Sequence, residues 1–172
     1  MSDTLRQYWS GALDVAYARD GYTWGGETPQ GADCSGTVAW ALHCAGFEYR
    51  VTAHEFYYRV FFNVYENPEQ HYYPEHPSVI ALLTADRSRT LGGNGEMLPL
   101  VEHIAPVIPG GLCVNADYSK DEIEVITLQD FIATYRRDDT WVRLSYATFD
   151  VLEEHSGAWL YGLDSNWTEL AK

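Results

Sequence analysis

Gly21-Tyr22-Thr23-Trp24-Gly25-Gly26-Glu27-Thr28-Pro29-Gln30-Gly31-Ala32-Asp33-Cys34-Ser35-Gly36 is the stretch from which the fold is read. It is a glycine-rich loop that delivers one cysteine to the first turn of a helix. Asp33 is the expected N-cap, Val38, Ala39, Ala41, Leu42 and Ala45 the apolar run, and Gly46 the stop. A thiol at a helix N-terminus sits at the positive end of the helix dipole, which favours the thiolate, the nucleophilic form. Cys34 is therefore expected to be a reactive cysteine, substantially thiolate near pH 6 and paired with a protonated histidine.

A cysteine nucleophile needs a base, and the chain holds six histidines. His103 opens the strand-like run His103-Ile104-Ala105-Pro106-Val107-Ile108. Pro109-Gly110-Gly111 follows as a turn, and Leu112-Cys113-Val114-Asn115-Ala116 as a second strand. With 109–111 as the loop, 108 faces 112 and 105 faces 115. His103 and Asn115 then share one face as a diagonal pair, within side-chain reach. A two-residue loop would move Asn115 to the other face. The expected set is Cys34 as nucleophile, His103 as base, and Asn115 as the amide that orients the base.

These residues together resemble the NlpC-type cell-wall peptidases, a branch of the papain-like cysteine hydrolases. Tyr22, Trp24, Gly25, Gly26, Pro29, Gly31, Asp33, Cys34, Ser35 and Gly36 match the first part of that family's pattern. His103 and Asn115 match its histidine and its third polar residue. The resemblance covers roughly residues 4 to 135. Two positions depart from it. The family's Gly-Asp-Leu step is replaced by Val79-Ile80-Ala81-Leu82-Leu83-Thr84-Ala85-Asp86, and Glu102 precedes His103 where the family has glycine.

The resemblance implies a papain-like α+β fold, an antiparallel sheet packed against helices with the nucleophile at a helix N-terminus. It implies a cysteine peptidase that cleaves amide bonds in peptidoglycan stem peptides through a thioester, with Tyr22, Trp24 and Ser35 bordering the substrate. The rivals are an amidase or acyltransferase on another amide or ester, and a non-catalytic phage structural or binding protein that keeps the fold.

Composition sets the remaining bounds. The 172 residues suit one catalytic domain spanning 1–172, with 140–172 as a C-terminal extension packed on it. Apolar residues make up 46% and aromatic residues 15%, enough for a packed core. Three cysteines, an odd count, argue against a disulfide framework. Cys44 is expected in the core near a helix end, and Cys113 in a buried strand, sharing the parity of Asn115. The net charge of −14 disfavours nucleic acid as a partner, and disfavours an electrostatic grip on anionic wall polymers. Recognition is then expected to be local, by a pocket. No run approaches transmembrane length, and Met1-Ser2-Asp3-Thr4-Leu5-Arg6 lacks the apolar stretch of a signal peptide. A wall substrate would then require a carrier or delivery protein, such as a phage particle, lysis system or secretion system. Glu69, His71, Glu75 and His76 fit no compact ligand spacing and are interrupted by prolines, so neither metal nor cofactor is expected.

Along the chain, helices are expected at 4–19, 34–45, 52–62 and 128–137. Strands are expected at 79–85, 100–108, 112–116, 122–126 and 141–146. Residues 63–77 read as a polar and aromatic loop, either a cleft wall or a surface excursion. Gly92-Gly93-Asn94-Gly95 is a connection that lacks the lysine of a phosphate loop. Phe149, Trp159, Tyr161 and Trp167 either line a subsite or pack the tail onto the domain.

Overall fold

Leu5, Tyr8, Trp9, Ala12, Val15 and Ala16 recur at helical spacing and form the buried stripe of α1, Asp3–Ala18. This stripe packs on α2, Cys34–Cys44, whose own apolar residues Val38, Ala39, Ala41 and Leu42 are buried. The two helices approach closely because Gly11 faces Cys44; a Cβ on Gly11 would lie 2.8 Å from that of Cys44. Tyr8 ties α1 to the sheet by donating its hydroxyl to the Ser78 carbonyl at 2.9 Å. The computed structural model describes residues 2–18, 20–49, 51–61, 64–66, 75–90 and 97–155.

The sheet is antiparallel. Its strands are β3 (Val64–Glu66), β4 (Ser78–Thr90), β5 (Met97–Ile108), β6 (Leu112–Asp117), β7 (Glu122–Thr127) and β8 (Thr140–Tyr146). Among the described residues their order is β3-β8-β4-β5-β6-β7. A separate small hairpin joins β1 (Glu27–Thr28) to β2 (Gly31–Ala32) inside the glycine-rich loop. Alternation along β5 and β6 divides the core into two clusters. Ile104, Ile108 and Val114 join α1 and α2, while Ala105, Val107 and Cys113 join Leu128, Phe131 and Ile132. The last three belong to α4, Leu128–Tyr135, which Thr127 caps through the Asp130 N–H. The α+β class and the antiparallel sheet with helices are as expected.

Several boundaries differ. The helix expected at 52–62 is a short α3, Ala53–Glu55, with a Thr52–Glu55 capping box, continued as a π-helical stretch over Phe56–Val60. Val64–Glu66, expected within a loop, pairs with Leu144–Tyr146 as a sheet strand. The strand expected at 79–85 runs on to Thr90, and its partner starts at Met97, because the two continue pairing as a hairpin arm. Phe149–His155 forms a further helix, α5, in which Phe149 stacks on Phe47 at 6.3 Å. Glu69 and His71, the Gly92–Gly95 connection, and Trp159, Tyr161 and Trp167 lie outside the described residues. No helix among the described residues is long and apolar enough to cross a membrane.

Candidate active site

The glycine-rich loop holds Cys34 by folding against the first turn of α2. Asp33 organises this contact with one carboxylate. Its Oδ1 accepts from the Gly36 N–H at 2.7 Å and the Ser35 hydroxyl at 2.9 Å, and its Oδ2 accepts from the Gly25 N–H at 2.9 Å. The Asp33 N–H in turn donates to the Gly26 carbonyl at 3.0 Å. The packing leaves no room for side chains. A Cβ on Gly36 would lie 1.8 Å from the Gly26 carbonyl oxygen, and one on Gly26 would lie 2.3 Å from that of Gly31. Asp33 occupies the Gly36 N–H and Thr37 bonds back to the Asp33 carbonyl, so the Cys34 and Ser35 N–H groups remain directed at the sulfur.

His103 and Asn115 reach each other through two local devices. The first is the hairpin. Ile108 pairs with Leu112 and Val107 with Cys113, so the loop is 109–111, with Gly110 at φ +86 and Gly111 at φ +71. This is the expected odd-loop register. The second device is a bulge that pattern reading misses. Leu82 pairs with His103 but Leu83 with Val101, which makes Glu102 an extra residue in β5. Val101 therefore turns to the α1–α2 cluster, while His103 turns to α4 and stacks on Phe131 at 5.6 Å. The Glu102 carboxylate accepts from Arg87 at 2.8 Å on the neighbouring strand and lies 3.9 Å from Arg137.

His103 Nε2 lies 2.7 Å from Asn115 Oδ1. An amide oxygen only accepts, so Nε2 carries the hydrogen and Nδ1 keeps its lone pair. Asn115 is buried. The registered β5–β6 pairs are Val107–Cys113 and Ile108–Leu112, and beyond them the Ile104 N–H hydrogen-bonds the Cys34 sulfur. Cys34 is thus held against the residue that follows His103. Tyr22 sits beside the sulfur, bridged to Ala32 and in edge contact with Tyr118 at 5.4 Å. Trp24 is 71% exposed in the glycine-rich loop, and Tyr118, beside Tyr22, is 74% exposed. The Ser35 hydroxyl is committed to Asp33.

The ionisation of this site differs from the expectation. Burial pushes the Cys34 thiol up from 9.0 to about 12, and the Asp33 carboxylate adds to the rise; the N–H groups of Ile104, Ser35 and Cys34 oppose it without prevailing. Burial also lowers His103 from 6.5, against the Asn115 hydrogen bond and the carboxylates of Asp117 and Asp33. The helix-start placement is as expected, but enclosure of the sulfur outweighs it, so the resting pair is a neutral thiol and a neutral imidazole. Iodoacetamide labelling with peptide mapping tests this. Native Cys34 is expected to label slowly through pH 9 and to reach the ordinary rate once the chain is unfolded in urea. Thiolate-like labelling of native Cys34 at pH 6 would contradict it.

The other candidates are placed elsewhere. Cys113 is fully buried beside Phe131, and Cys44 is half-buried against Gly11. His43 pairs with Glu48 at 2.7 Å on the surface, His54 is buried behind Val101, and His76 stacks on Tyr146 at 5.4 Å. Asp117 and Tyr135 belong to the surroundings of His103 and were missed. Asp117 could have been found by strand parity with Asn115; Tyr135 had no local signal.

An antiparallel sheet on helices, with a cysteine at a helix start and a histidine–amide pair on adjoining strands, has the papain-like α+β arrangement. Residues 19–76, about a third of the chain and including the stretch around Cys34, match the sequence profile of the NlpC/P60 family. The matched stretch ends before His103. NlpC1 from Trichomonas vaginalis is 18% identical, with 84% of this chain and 43% of that one covered at a TM-score of 0.51, which shows a shared fold. The NlpC/p60 domain of the peptidoglycan hydrolase SagA is 21% identical over 79% of this chain and 97% of its own, at 0.44. RipD from Mycobacterium tuberculosis, a non-catalytic NlpC/p60 domain protein adapted to peptidoglycan binding, is 14% identical over 86% and 99%, at 0.48. No curated protein gives a match to the chain.

Proposed function

We propose that this protein is a cysteine hydrolase that cleaves amide bonds in peptidoglycan stem peptides, with Cys34, His103 and Asn115 as its catalytic set. The observation that carries the reading is the 2.7 Å Nε2–Oδ1 bond, which leaves a basic Nδ1 on the strand against which Cys34 packs.

In this mechanism the Cys34 sulfur attacks the amide carbonyl while its proton passes to Nδ1. A carbon–sulfur bond forms and the carbonyl oxygen becomes an oxyanion, stabilised by the Cys34 and Ser35 N–H groups at the helix start. The imidazolium is favoured by Asn115 Oδ1 and by the carboxylates of Asp117 and Asp33. It then gives the proton to the amine as the carbon–nitrogen bond breaks. Water, deprotonated by the same nitrogen, hydrolyses the thioester and returns the thiol. Tyr22 and Trp24 border the peptide, and Ser35 contributes its backbone. Recognition by this local surface agrees with the net charge of −14, which gives no grip on anionic wall polymers.

Digestion of purified, chemically defined muropeptides, with products read by mass spectrometry, tests the reading. A new amine and acid from a stem-peptide bond supports it. Release of whole stem peptides from the sugar would make the protein an amidase, and binding without any product would make it a non-catalytic binding protein. Within the same assay Asn115→Ala is expected to lower kcat by about 10- to 100-fold, the worth of one hydrogen bond to a charged ring. His103→Ala should lower it by about 10^4-fold. Equal losses in the two variants would show that Asn115 does more than orient the ring.

A further inference from the structure

Tyr135 is the last residue of α4, and its hydroxyl donates to Asn115 Oδ1 at 3.2 Å. That oxygen also accepts from His103 Nε2. Two donors from different elements thus converge on one amide oxygen. The Tyr135 ring lies 4.8 Å from the His103 ring and 4.7 Å from that of Phe131, which itself stacks on His103 at 5.6 Å, so the three rings are mutually in contact. Its position is set from both ends of the helix. Thr127 caps α4 directly after β7, the strand that pairs with β6, and the Thr140 hydroxyl donates to the Tyr135 carbonyl at 3.0 Å. Burial pushes the Tyr135 hydroxyl up to about 12, so it is a donor throughout the neutral range.

We infer that Tyr135 is a positioning residue that holds the Asn115 amide with its oxygen toward His103 and thereby sets the tautomer of the base. This rests on the assignment of His103 as the base under the proposed function. An amide has two nearly isosteric ends, an oxygen that accepts and an NH2 that donates. With the oxygen inward, Nε2 carries the hydrogen and Nδ1 is free to take the thiol proton. With the NH2 inward, Nε2 must accept, the hydrogen moves to Nδ1, and the ring cannot act as a base toward Cys34. The flipped amide would exchange that O–H···O=C bond for an N–H donated to a phenolic oxygen, a weaker acceptor than an amide carbonyl, so the second donor disfavours it. The burial of Asn115 leaves water little access to substitute for that donor.

The test is Tyr135→Phe, which removes the hydroxyl and keeps the ring. Phe131→Leu serves as the control for loosened packing around the histidine. Two readouts are taken, muropeptide kinetics and the imidazole 15N shifts of His103 at neutral pH. In the unaltered protein a single Nε2–H tautomer is expected. In Tyr135→Phe the Nδ1–H tautomer becomes populated, and kcat falls about 5- to 10-fold with KM unchanged, as for one hydrogen bond. Phe131→Leu should keep the Nε2–H tautomer. An unchanged tautomer in Tyr135→Phe overturns the inference, as does the same shift in Phe131→Leu. The 15N readout needs no turnover. A protein that cleaves no muropeptide but shows the tautomer shift would refute the proposed function and leave the role of Tyr135 standing.

Discussion

Cys34→Ala is expected to abolish muropeptide hydrolysis, a loss of roughly 10^4-fold or more, while the protein melts at nearly the same temperature. The size follows from the chemistry. No other described cysteine is placed to take over: Cys113 is enclosed beside Phe131, and Cys44 lies against Gly11 on α1. The fold should survive because Cys34 begins α2 at the edge of the core and its loss removes a single sulfur. Asp33 still caps the helix through Gly36. Cys44→Ser and Cys113→Ala should retain substantial activity. Any loss in Cys113→Ala should follow its stability, since the small cavity forms in the α4 cluster. Full hydrolysis by Cys34→Ala, with the fold checked by thermal melts, would remove the whole mechanism.

Gly36→Ala should have the largest effect on stability of any single methyl group added where the glycine-rich loop meets α2. The new carbon would lie 1.8 Å from the Gly26 carbonyl oxygen and 2.9 Å from the Glu27 Cα, both backbone atoms that cannot swing aside. Relief requires the loop to lift from the helix. That would break the Asp33–Gly26 and Gly25–Asp33 hydrogen bonds and tilt the turn that carries Cys34. A cost of at least about 3 kcal/mol is expected, seen as a drop in melting temperature of roughly 10 °C or more. Activity should fall further than the folded fraction does, because the surviving molecules hold Cys34 away from the Ile104 N–H. Ala39→Gly, placed one turn further along the same helix, should cost only about 1 kcal/mol and serves as the comparison. A Gly36→Ala protein that melts like its parent would show that the loop does not lie against the helix.

The neutral resting pair shapes the pH dependence. His103 is lowered from 6.5, so the acid limb of kcat/KM should have its midpoint below that value. The raised Cys34 thiol also links to stability. In the folded chain it stays protonated while the unfolded chain ionises near 9.0, so this contribution is complete below that pH and is lost as pH rises toward the folded value of about 12.

The sequence alone determined what depends on neighbours along the chain. The capped helix that begins at Cys34 was legible because an N-cap aspartate, an apolar run and a terminal glycine are local signals. The β5–β6 hairpin was legible for a related reason. Pro109-Gly110-Gly111 fits an odd loop, and a strand period of two then assigns faces to His103 and Asn115. The first reading carried to the Asp33 cap on α2, the second to the 2.7 Å contact between His103 and Asn115.

Tertiary structure decided what depends on residues far apart. The bulge at Glu102 arises from pairing with Leu82 and Leu83, so nothing in the run Leu100-Val101-Glu102-His103 announces it. Val64–Glu66 becomes a strand only because β8 offers an edge to pair with. Tyr135 meets Asn115 only because α4 folds back across β6, twenty residues on in the chain. The ionisation of Cys34 turned on the same distinction. A helix dipole is written locally, whereas burial by the loop and β5 is a property of the folded molecule, and removal from water outweighs the dipole.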